Sequence, residues 1–128
     1  MKVSAEDYSF FCQCCDEFKV LFGLKDWNVH YGMTDTCNIA QTIRNARGHV
    51  ASIYLCNEWD DTILALDKLQ LRIAAFHEIC HVVLARMAAC GRARFTTDDE
   101  LNESEEAAIV RMGNAYFDNT RCTTKCDE

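Results

Sequence analysis

The segment from Ile73 to Leu84 constrains this chain most, because it places three ionisable residues in an otherwise apolar run. Its centre reads His77-Glu78-Ile79-Cys80-His81, which is the pattern His-Glu-x-x-His. In a helix, residues four positions apart lie on one face, so the two histidine rings are expected to project side by side. Burying two imidazoles and a carboxylate is costly unless something compensates them. A divalent metal ion compensates all three groups.

The spacing of these residues suits zinc. Imidazole nitrogens bind zinc at about 2.0–2.1 Å, and one helical turn brings His77 and His81 within reach of one ion. Glu78 is expected on the flank, where its carboxylate can reach a water on the metal without binding the metal itself. The alternative is a helix whose histidines are hydrogen-bonded core residues. The apolar flanks and the acidic residues downstream favour the metal site.

A zinc site with two histidines needs at least one more protein ligand. The candidates lie in an acidic segment downstream of the motif. Helical periodicity places Glu105 on the stripe of Ile109 and Met112, whereas Glu106 lies on the flank and Glu103 points farther away. We therefore expect Glu105 to be the third ligand, with Glu106 as the alternative. A solvated acidic helix face is the remaining interpretation.

Length and composition predict one domain that spans residues 1–128. The chain has 128 residues, of which 49% are hydrophobic, enough for a single core. It has no apolar run long enough for a membrane span, and its first residues lack the apolar centre of a signal peptide. The net charge of −7 argues against broad binding to nucleic-acid phosphates. We expect a cytoplasmic protein without a membrane or nucleic-acid partner, and the oligomeric state is left open.

The cysteines favour free thiols over disulfides. Their number is nine, and an odd count without an export signal argues against a disulfide scaffold. Cys80 and Cys90 are expected to be small buried hydrophobic residues. A second metal site would need the two terminal groups of cysteines to meet. These are Cys12, Cys14, Cys15, Cys122 and Cys126. Neither group has the Cys-x-x-Cys spacing of common zinc knuckles, so reduced thiols are favoured.

Periodicity and capping signals predict three helices. The helices are expected from about Ala5 to Leu21, from Lys68 to Cys90 and from Asp98 to Phe117. Gly23 ends the first, and capping boxes at Asp67–Gln70 and Thr97–Glu100 begin the other two. Residues 119–128 are expected to form a frayed tail. The core stripe expected on the central helix consists of Leu69, Ile73, Phe76, Cys80, Val83 and Met87.

Three segments rich in β-branched and aromatic residues predict a small sheet. The segments are Trp27 to Tyr31, Asn38 to Asn45 and His49 to Cys56. The short connections between them favour an antiparallel meander. The expected fold class is therefore α+β, with a small antiparallel three-stranded sheet packed on an N-terminal helix, a central helix that carries the motif and a C-terminal helix.

The motif His77 to His81, followed by Glu105 to Met112, resembles the gluzincin branch of the zincin metallopeptidases. The sequence is most similar to the minimal, single-domain members that phages and prophages encode. The similarity extends to the segment Phe22 to Val29 and to the expected strand Ala51 to Leu55 with Trp59. It covers most of the chain, although only the metal motif is highly specific.

The resemblance implies a zinc-dependent metallopeptidase with one zinc ion per chain. Its ligands would be His77, His81 and Glu105, and Glu78 would be the general base. The implied reaction is hydrolysis of a peptide bond in a peptide or protein substrate by a metal-activated water. In that family the edge strand of the sheet binds an extended peptide as an added strand. The edge strand expected here is His49 to Leu55.

Two points stay open from the sequence alone. Larger zincins often use a His or Tyr side chain to stabilise the oxyanion, and the sequence does not select among the candidates. Those candidates are Tyr54, Tyr116, His49 and His30. The main alternative function is a non-catalytic protein-interaction module of zincin fold, in which zinc is structural; a further one is zinc-dependent hydrolysis of a substrate other than a peptide. Glu78 favours an enzyme, because a structural zinc needs no base.

Overall fold

The computed structural model describes residues 1–60, 62–92 and 97–126, with side chains described as far as Phe117. Within these residues the chain forms four helices and three strands, which confirms the α+β class. The helices are α1 (Ala5–Leu21), α2 (Lys68–Val83), α3 (Ala85–Arg92) and α4 (Asp98–Cys126). The strands are β1 (Asn28–Thr34), β2 (Ala40–Asn45) and β3 (Val50–Cys56).

Helix α1 has the predicted bounds because both of its ends are capped. The Ser4 hydroxyl accepts the Asp7 N–H and the Asp7 carboxylate accepts the Ser4 N–H, both at 3.0 Å, which is a capping box. At the other end Gly23 adopts a φ of 68°, and the N–H groups of Gly23 and Leu24 donate to carbonyls of the last turn. Glycine is favoured at this left-handed position because it has no Cβ.

The sheet is mixed, so the predicted antiparallel meander is wrong. Its strand order is β1-β3-β2. Strand β3 pairs with β1 in parallel and with β2 in antiparallel orientation. The hairpin of β2 and β3 therefore places β3 between the other two strands. Strand β3 suits the centre because Ala51, Ile53 and Leu55 on one of its faces are all buried.

This strand order also changes the expected edge strand. The segment His49 to Leu55 largely coincides with β3, which is hydrogen-bonded on both sides and has no free edge. The prediction that this segment is the edge is therefore wrong. The free edges among the described strands belong to β1 and β2, and β2 lies against α2.

The central helix is broken, whereas the sequence predicted one helix as far as Cys90. Helix α2 begins at the predicted cap, where the Asp67 carboxylate accepts the Gln70 N–H at 2.8 Å, and it is capped at Leu84. Helix α3 then continues at an angle of 52°. The bend brings α3 against α4, where a Cβ on Gly91 would lie 2.9 Å from the Leu101 side chain. Packing against a distant helix sets the bend, so the local sequence does not reveal it.

Within the described residues, no single helix is long and apolar enough to cross a membrane. Helices α2 and α3 reach the required length and composition only as a pair, and the pair is bent by 52°.

The core lies between the helices and one face of the sheet. Phe18 of α1, Phe76 of α2 and Phe117 of α4 form its aromatic centre. The ring centroids of Phe18 and Phe76 are 5.2 Å apart, and those of Phe76 and Phe117 are 5.5 Å apart, both edge to face. This geometry is favoured by the ring quadrupoles. This aromatic cluster thus joins three helices that are far apart along the chain.

The core stripe expected on α2 is only partly correct. Phe76 and Cys80 are buried, but Leu69, Val83 and Met87 are 40%, 38% and 54% exposed. The buried face includes Leu71, Ala75 and Ile79 instead. A helix that is apolar on most sides has no unique stripe, so its neighbours decide which residues are buried. Cys90, which was also expected in the core, is exposed.

Helix α4 begins where it was predicted, and the Thr97 hydroxyl accepts the Glu100 N–H at 3.2 Å. The helix extends to Cys126, whereas the sequence predicted an end near Phe117. The side chains of residues 118–128 lie outside the described part, so the frayed tail at 119–128 stays a prediction. The same holds for a site that would use Cys122 and Cys126. Among the described side chains, the N-terminal cysteines belong to no group of three ligands placed to share a metal.

Removal of an aromatic ring from the core should destabilise the protein strongly. Phe18 is 1% exposed, so Phe18→Ala is expected to lower the free energy of unfolding by about 3–5 kcal/mol. Val20 is 80% exposed on the same helix, and Val20→Ala should change it by no more than about 0.5 kcal/mol. Denaturant unfolding measures both. A similar small effect for the two variants would contradict this packing.

Candidate metal centre

Three side chains from two helices converge on one point. The rings of His77 and His81 project from the same face of α2, with their centroids 5.0 Å apart. Glu106 of α4 lies opposite them. One of its carboxylate oxygens is 3.0 Å from His77 Nε2, and the other is 2.8 Å from His81 Nε2. The three ligand atoms lie within 4.8 Å of one another.

This arrangement fits a divalent metal ion. Zinc binds histidine nitrogen and carboxylate oxygen at about 2.0–2.2 Å, so neighbouring ligand atoms around one ion lie about 3.3 Å apart in a tetrahedral site. The two Nε2 atoms lie 3.0 and 2.8 Å from different oxygens of Glu106, somewhat closer than that value, and one ligand atom of each residue lies within 4.8 Å of the others. His77, His81 and Glu106 can therefore hold a metal ion. Imidazole and carboxylate ligands suit zinc and several other transition metals, so the donor set alone does not identify the ion.

Glu105, the expected third ligand, lies behind the ring of His81 instead. Its Oε1 atom is 3.0 Å from His81 Nδ1, and its carboxylate also accepts two hydrogen bonds from Arg44. The side chain is 3% exposed. Successive helical residues point about 100° apart, so Glu105 and Glu106 cannot both face the ligand nitrogens. The sequence-based choice of Glu105 is corrected to Glu106, which was the alternative.

Arg44 of β2 holds Glu105 in place. Its Nη2 atom donates to Glu105 Oε2 at 2.9 Å, and its Nη1 atom donates to the backbone carbonyl of His81 at 2.6 Å. Burial raises the pKa of Glu105, but the hydrogen bonds from Arg44 and His81 outweigh it and bring that pKa below its ordinary value. Glu105 is therefore an anion at neutral pH.

Both ring nitrogens of His81 face a carboxylate, Nδ1 that of Glu105 at 3.0 Å and Nε2 that of Glu106 at 2.8 Å. A metal ion on Nε2 would place the proton of the neutral ring on Nδ1. The anionic Glu105 can accept a hydrogen bond from that proton. Histidine ligands of metals commonly donate their other N–H to a carboxylate, which orients the ring and increases its basicity.

Glu78 lies beside the cluster and is 5% exposed. Its Oε1 atom accepts a hydrogen bond from the Thr42 hydroxyl at 2.8 Å. Burial raises the pKa of Glu78, and the Thr42 hydrogen bond and the nearby histidines oppose that effect only in part. A carboxyl group with a raised pKa can exchange protons closer to neutral pH than an exposed one.

The cluster opens onto a cavity of about 620 Å³. Strand β2 forms one wall, and α2, α3 and α4 supply the rest. The lining residues outside β2 are His77, Glu78, His81, Arg92, Asn102, Glu105 and Glu106. None of the side chains that the structure describes therefore covers the face of the cluster that a water or a substrate would approach.

None of the proposed oxyanion donors lines this cavity. Tyr116 packs in the aromatic core, and His49 stacks on Trp27 with ring centroids 5.1 Å apart. His30 lies on β1, and Tyr54 points its side chain toward β1 at Gly32. Arg92 and Asn102 also line the cavity, and Arg92 Nη2 donates a hydrogen bond to Asn102 Oδ1 at 3.0 Å.

Sequence reasoning missed Thr42 and Arg44. Both are polar residues on β2, two positions apart, and therefore project from the same face of the strand. That face is the inner one, whereas Ile43 between them is 61% exposed. An apolar residue outside and polar residues inside reverse the usual pattern of a half-buried strand. This reversal is the signal that could have identified both residues.

Comparisons of this chain with models of protein families, with curated proteins and with solved structures find no match. The interpretation of the site depends on its geometry and on the chemistry of its residues.

The roles of the adjacent glutamates can be separated by zinc affinity. Glu106→Gln is expected to weaken zinc binding most, because it replaces a charged ligand. Glu105→Gln should weaken it by roughly 10- to 100-fold, the usual effect of losing a group that orients a ligand. Glu103→Gln on the exposed face of α4 is the matched control and should have no effect. Competition with a chromophoric chelator measures all three, and a larger loss for Glu105→Gln would contradict the assignment.

The Arg44–Glu105 pair should also stabilise the fold. Arg44→Met leaves the buried Glu105 carboxylate without its cation, which is expected to lower the free energy of unfolding by about 3–5 kcal/mol. The double variant Arg44→Met/Glu105→Leu removes both charges and should be more stable than Arg44→Met alone. Denaturant unfolding of the metal-free proteins measures this. A double variant that is no more stable than Arg44→Met would contradict this pairing.

Proposed function

We propose that this chain is a zinc-dependent metallopeptidase that hydrolyses peptide bonds at the centre formed by His77, His81 and Glu106. The observation that carries the proposal is the position of Glu78, a buried carboxylate that lies beside three ligand atoms and lines the same open cavity. Three protein ligands with an open side are the arrangement of catalytic zinc sites, whereas structural sites are closed by four protein ligands.

The chemistry divides between the metal and the protein. When bound, zinc would supply an acidified water and a Lewis acid for the carbonyl oxygen of the substrate. Glu78 acts as the general base that takes a proton from the attacking water and then delivers it to the leaving amine. Thr42 holds Oε1 of Glu78, which leaves Oε2 to carry the proton. Glu105 and Arg44 orient His81 throughout the reaction.

Strand β2 is the part of the sheet that suits an extended peptide. It has a free edge, and the residues from Ala40 to Arg44 line the cavity that contains the cluster. An extended peptide can pair with such an edge through main-chain hydrogen bonds. Because Thr42 contacts Glu78, a peptide on this edge would pass close to the base. Strand β2 therefore replaces the segment His49 to Leu55 as the proposed peptide-binding edge.

One observation favours the alternative of a non-catalytic, zinc-stabilised interaction module. Glu78 is only 5% exposed, and its hydrogen bond with Thr42 ties α2 to β2. The same bond would serve a purely structural role. The enzyme needs the Glu78 carboxylate to accept a proton, whereas the interaction module needs only its hydrogen bond with Thr42. Substitution by glutamine separates the two functions.

Glu78→Gln should retain one zinc ion per chain and lose hydrolysis. We expect the rate to fall by roughly 100- to 10,000-fold, the usual contribution of a general base. Zinc content is measured by elemental analysis, with His77→Ala as the variant that loses the metal. Activity is measured as new peptide termini after incubation with a cell lysate, with Glu103→Gln as the control. Equal activity of Glu78→Gln and the wild type would remove Glu78 from this role, and zinc-loaded wild type that produces no new termini would favour the interaction module.

A further inference from the structure

A second cavity lies at the end of β2, and its lining is basic. It occupies about 460 Å³ between the turn that joins β2 to β3 and helix α3. Its lining residues are Ala46, Arg47, His49, Arg86, Ala89 and Cys90. Two of these six are arginines and none is acidic, although the whole chain carries a net charge of −7. The charge of this cavity is therefore opposite to that of the protein.

The two arginines are not neutralised by any carboxylate whose side chain the structure describes. Among those side chains, neither Arg47 nor Arg86 forms an ion pair. Arg86 also lies in the first turn of α3, which contains no acidic residue. The cavity thus concentrates a positive potential that an anion would relieve.

The turn that carries Arg47 has a fixed shape. The Asn45 side-chain oxygen accepts the N–H groups of Arg47 and Gly48 at 3.0 and 3.1 Å. His49 has a φ of 53°, an unfavourable value for a residue with a side chain. Its ring is held by stacking on Trp27 and by an ion-pair contact with Asp26 at 3.0 Å. The Asp26 carboxylate therefore contacts His49.

The basic cavity and the cavity of the metal cluster are lined by successive parts of the β2 segment and by residues of α3. Arg44 and Arg92 line the first cavity, and Arg47 and Arg86 line the second. Thr42, which contacts Glu78, lies five positions before Arg47 in the sequence. An extended peptide advances about 3.3 Å per residue. A peptide on the edge of β2 would therefore reach the arginines about three to five residues from the bond that is cleaved.

We propose that Arg47 and Arg86 form a subsite that binds an acidic side chain, Asp or Glu, of the peptide substrate. This inference rests on the proposed function, because it places the peptide on β2. Guanidinium groups bind carboxylates through paired hydrogen bonds. A nucleic acid is the less favourable anion, because the negative charge of the rest of the protein would repel a long phosphate backbone. The subsite selects substrates with an acidic residue on one side of the cleaved bond.

A peptide library tests the subsite. Zinc-loaded protein that carries Glu78→Gln is immobilised and incubated with random dodecapeptides, and the retained peptides are sequenced. Asp and Glu should be enriched at one position by roughly two- to five-fold, the size expected of an exposed ion pair. The enrichment should decrease as salt is raised. Adding Arg86→Glu or Arg47→Glu should abolish the preference, and adding both should reverse it to Lys and Arg. Arg111→Glu, an equal charge change at an exposed position of α4, should leave it unchanged.

The other outcomes overturn the inference in distinguishable ways. Peptides retained with other preferences but without acidic enrichment would overturn the subsite and leave the proposed function standing. Acidic enrichment that persists in both charge-reversal variants would assign the preference to other residues. No retained peptide from any zinc-loaded protein would overturn the subsite together with the proposed function. Stronger displacement of the peptides by an oligothymidylate than by an acidic peptide would show that the arginines bind nucleic acid.

Discussion

The buried ion pair between Arg44 and Glu105 is the interaction on which the arrangement of the site depends. It joins β2 to α4, and its contacts with His81 connect both elements to α2. A buried charge is tolerated only when it is matched and hydrogen-bonded. The pair therefore favours the relative position of β2, α2 and α4 in which these hydrogen bonds form. With Glu105 held behind His81, the next residue of α4 is directed to the ligand nitrogens in front.

The adjacent residues Glu105 and Glu106 thus contact different sides of the histidine pair, and the position of one fixes that of the other. Glu105 contacts the back of the His81 ring, and Glu106 lies with the two histidines in a group that could hold a metal ion. A carboxylate that orients a histidine ligand is part of many metal centres. The guanidinium that holds Glu105 comes from β2. Under the proposed function, β2 would therefore link the geometry of the metal centre to the edge that binds a peptide.

Much of the local structure could be predicted from the sequence. The ends of α1 and the starts of α2 and α4 agree with their capping residues, because a cap is a contact between residues three or four positions apart. The strand order and the bend at Leu84 could not be predicted in the same way. Which strands pair, and where α3 meets α4 at Gly91, are decided by burial of surfaces that are distant in sequence.

The pattern His-Glu-x-x-His was enough to predict that His77, Glu78 and His81 lie together, because the helical repeat brings them to one end of a single helix. Which glutamate faces them depends on contacts between elements that are distant in the sequence. Periodicity correctly indicated that Glu105 points inward. In the structure its carboxylate pairs with Arg44, however, and not with a metal site. Arg44 lies on a strand whose pairing the sequence does not reveal. The half-exposed Glu106 faces the imidazoles because it follows Glu105 in the helix and therefore points in a different direction.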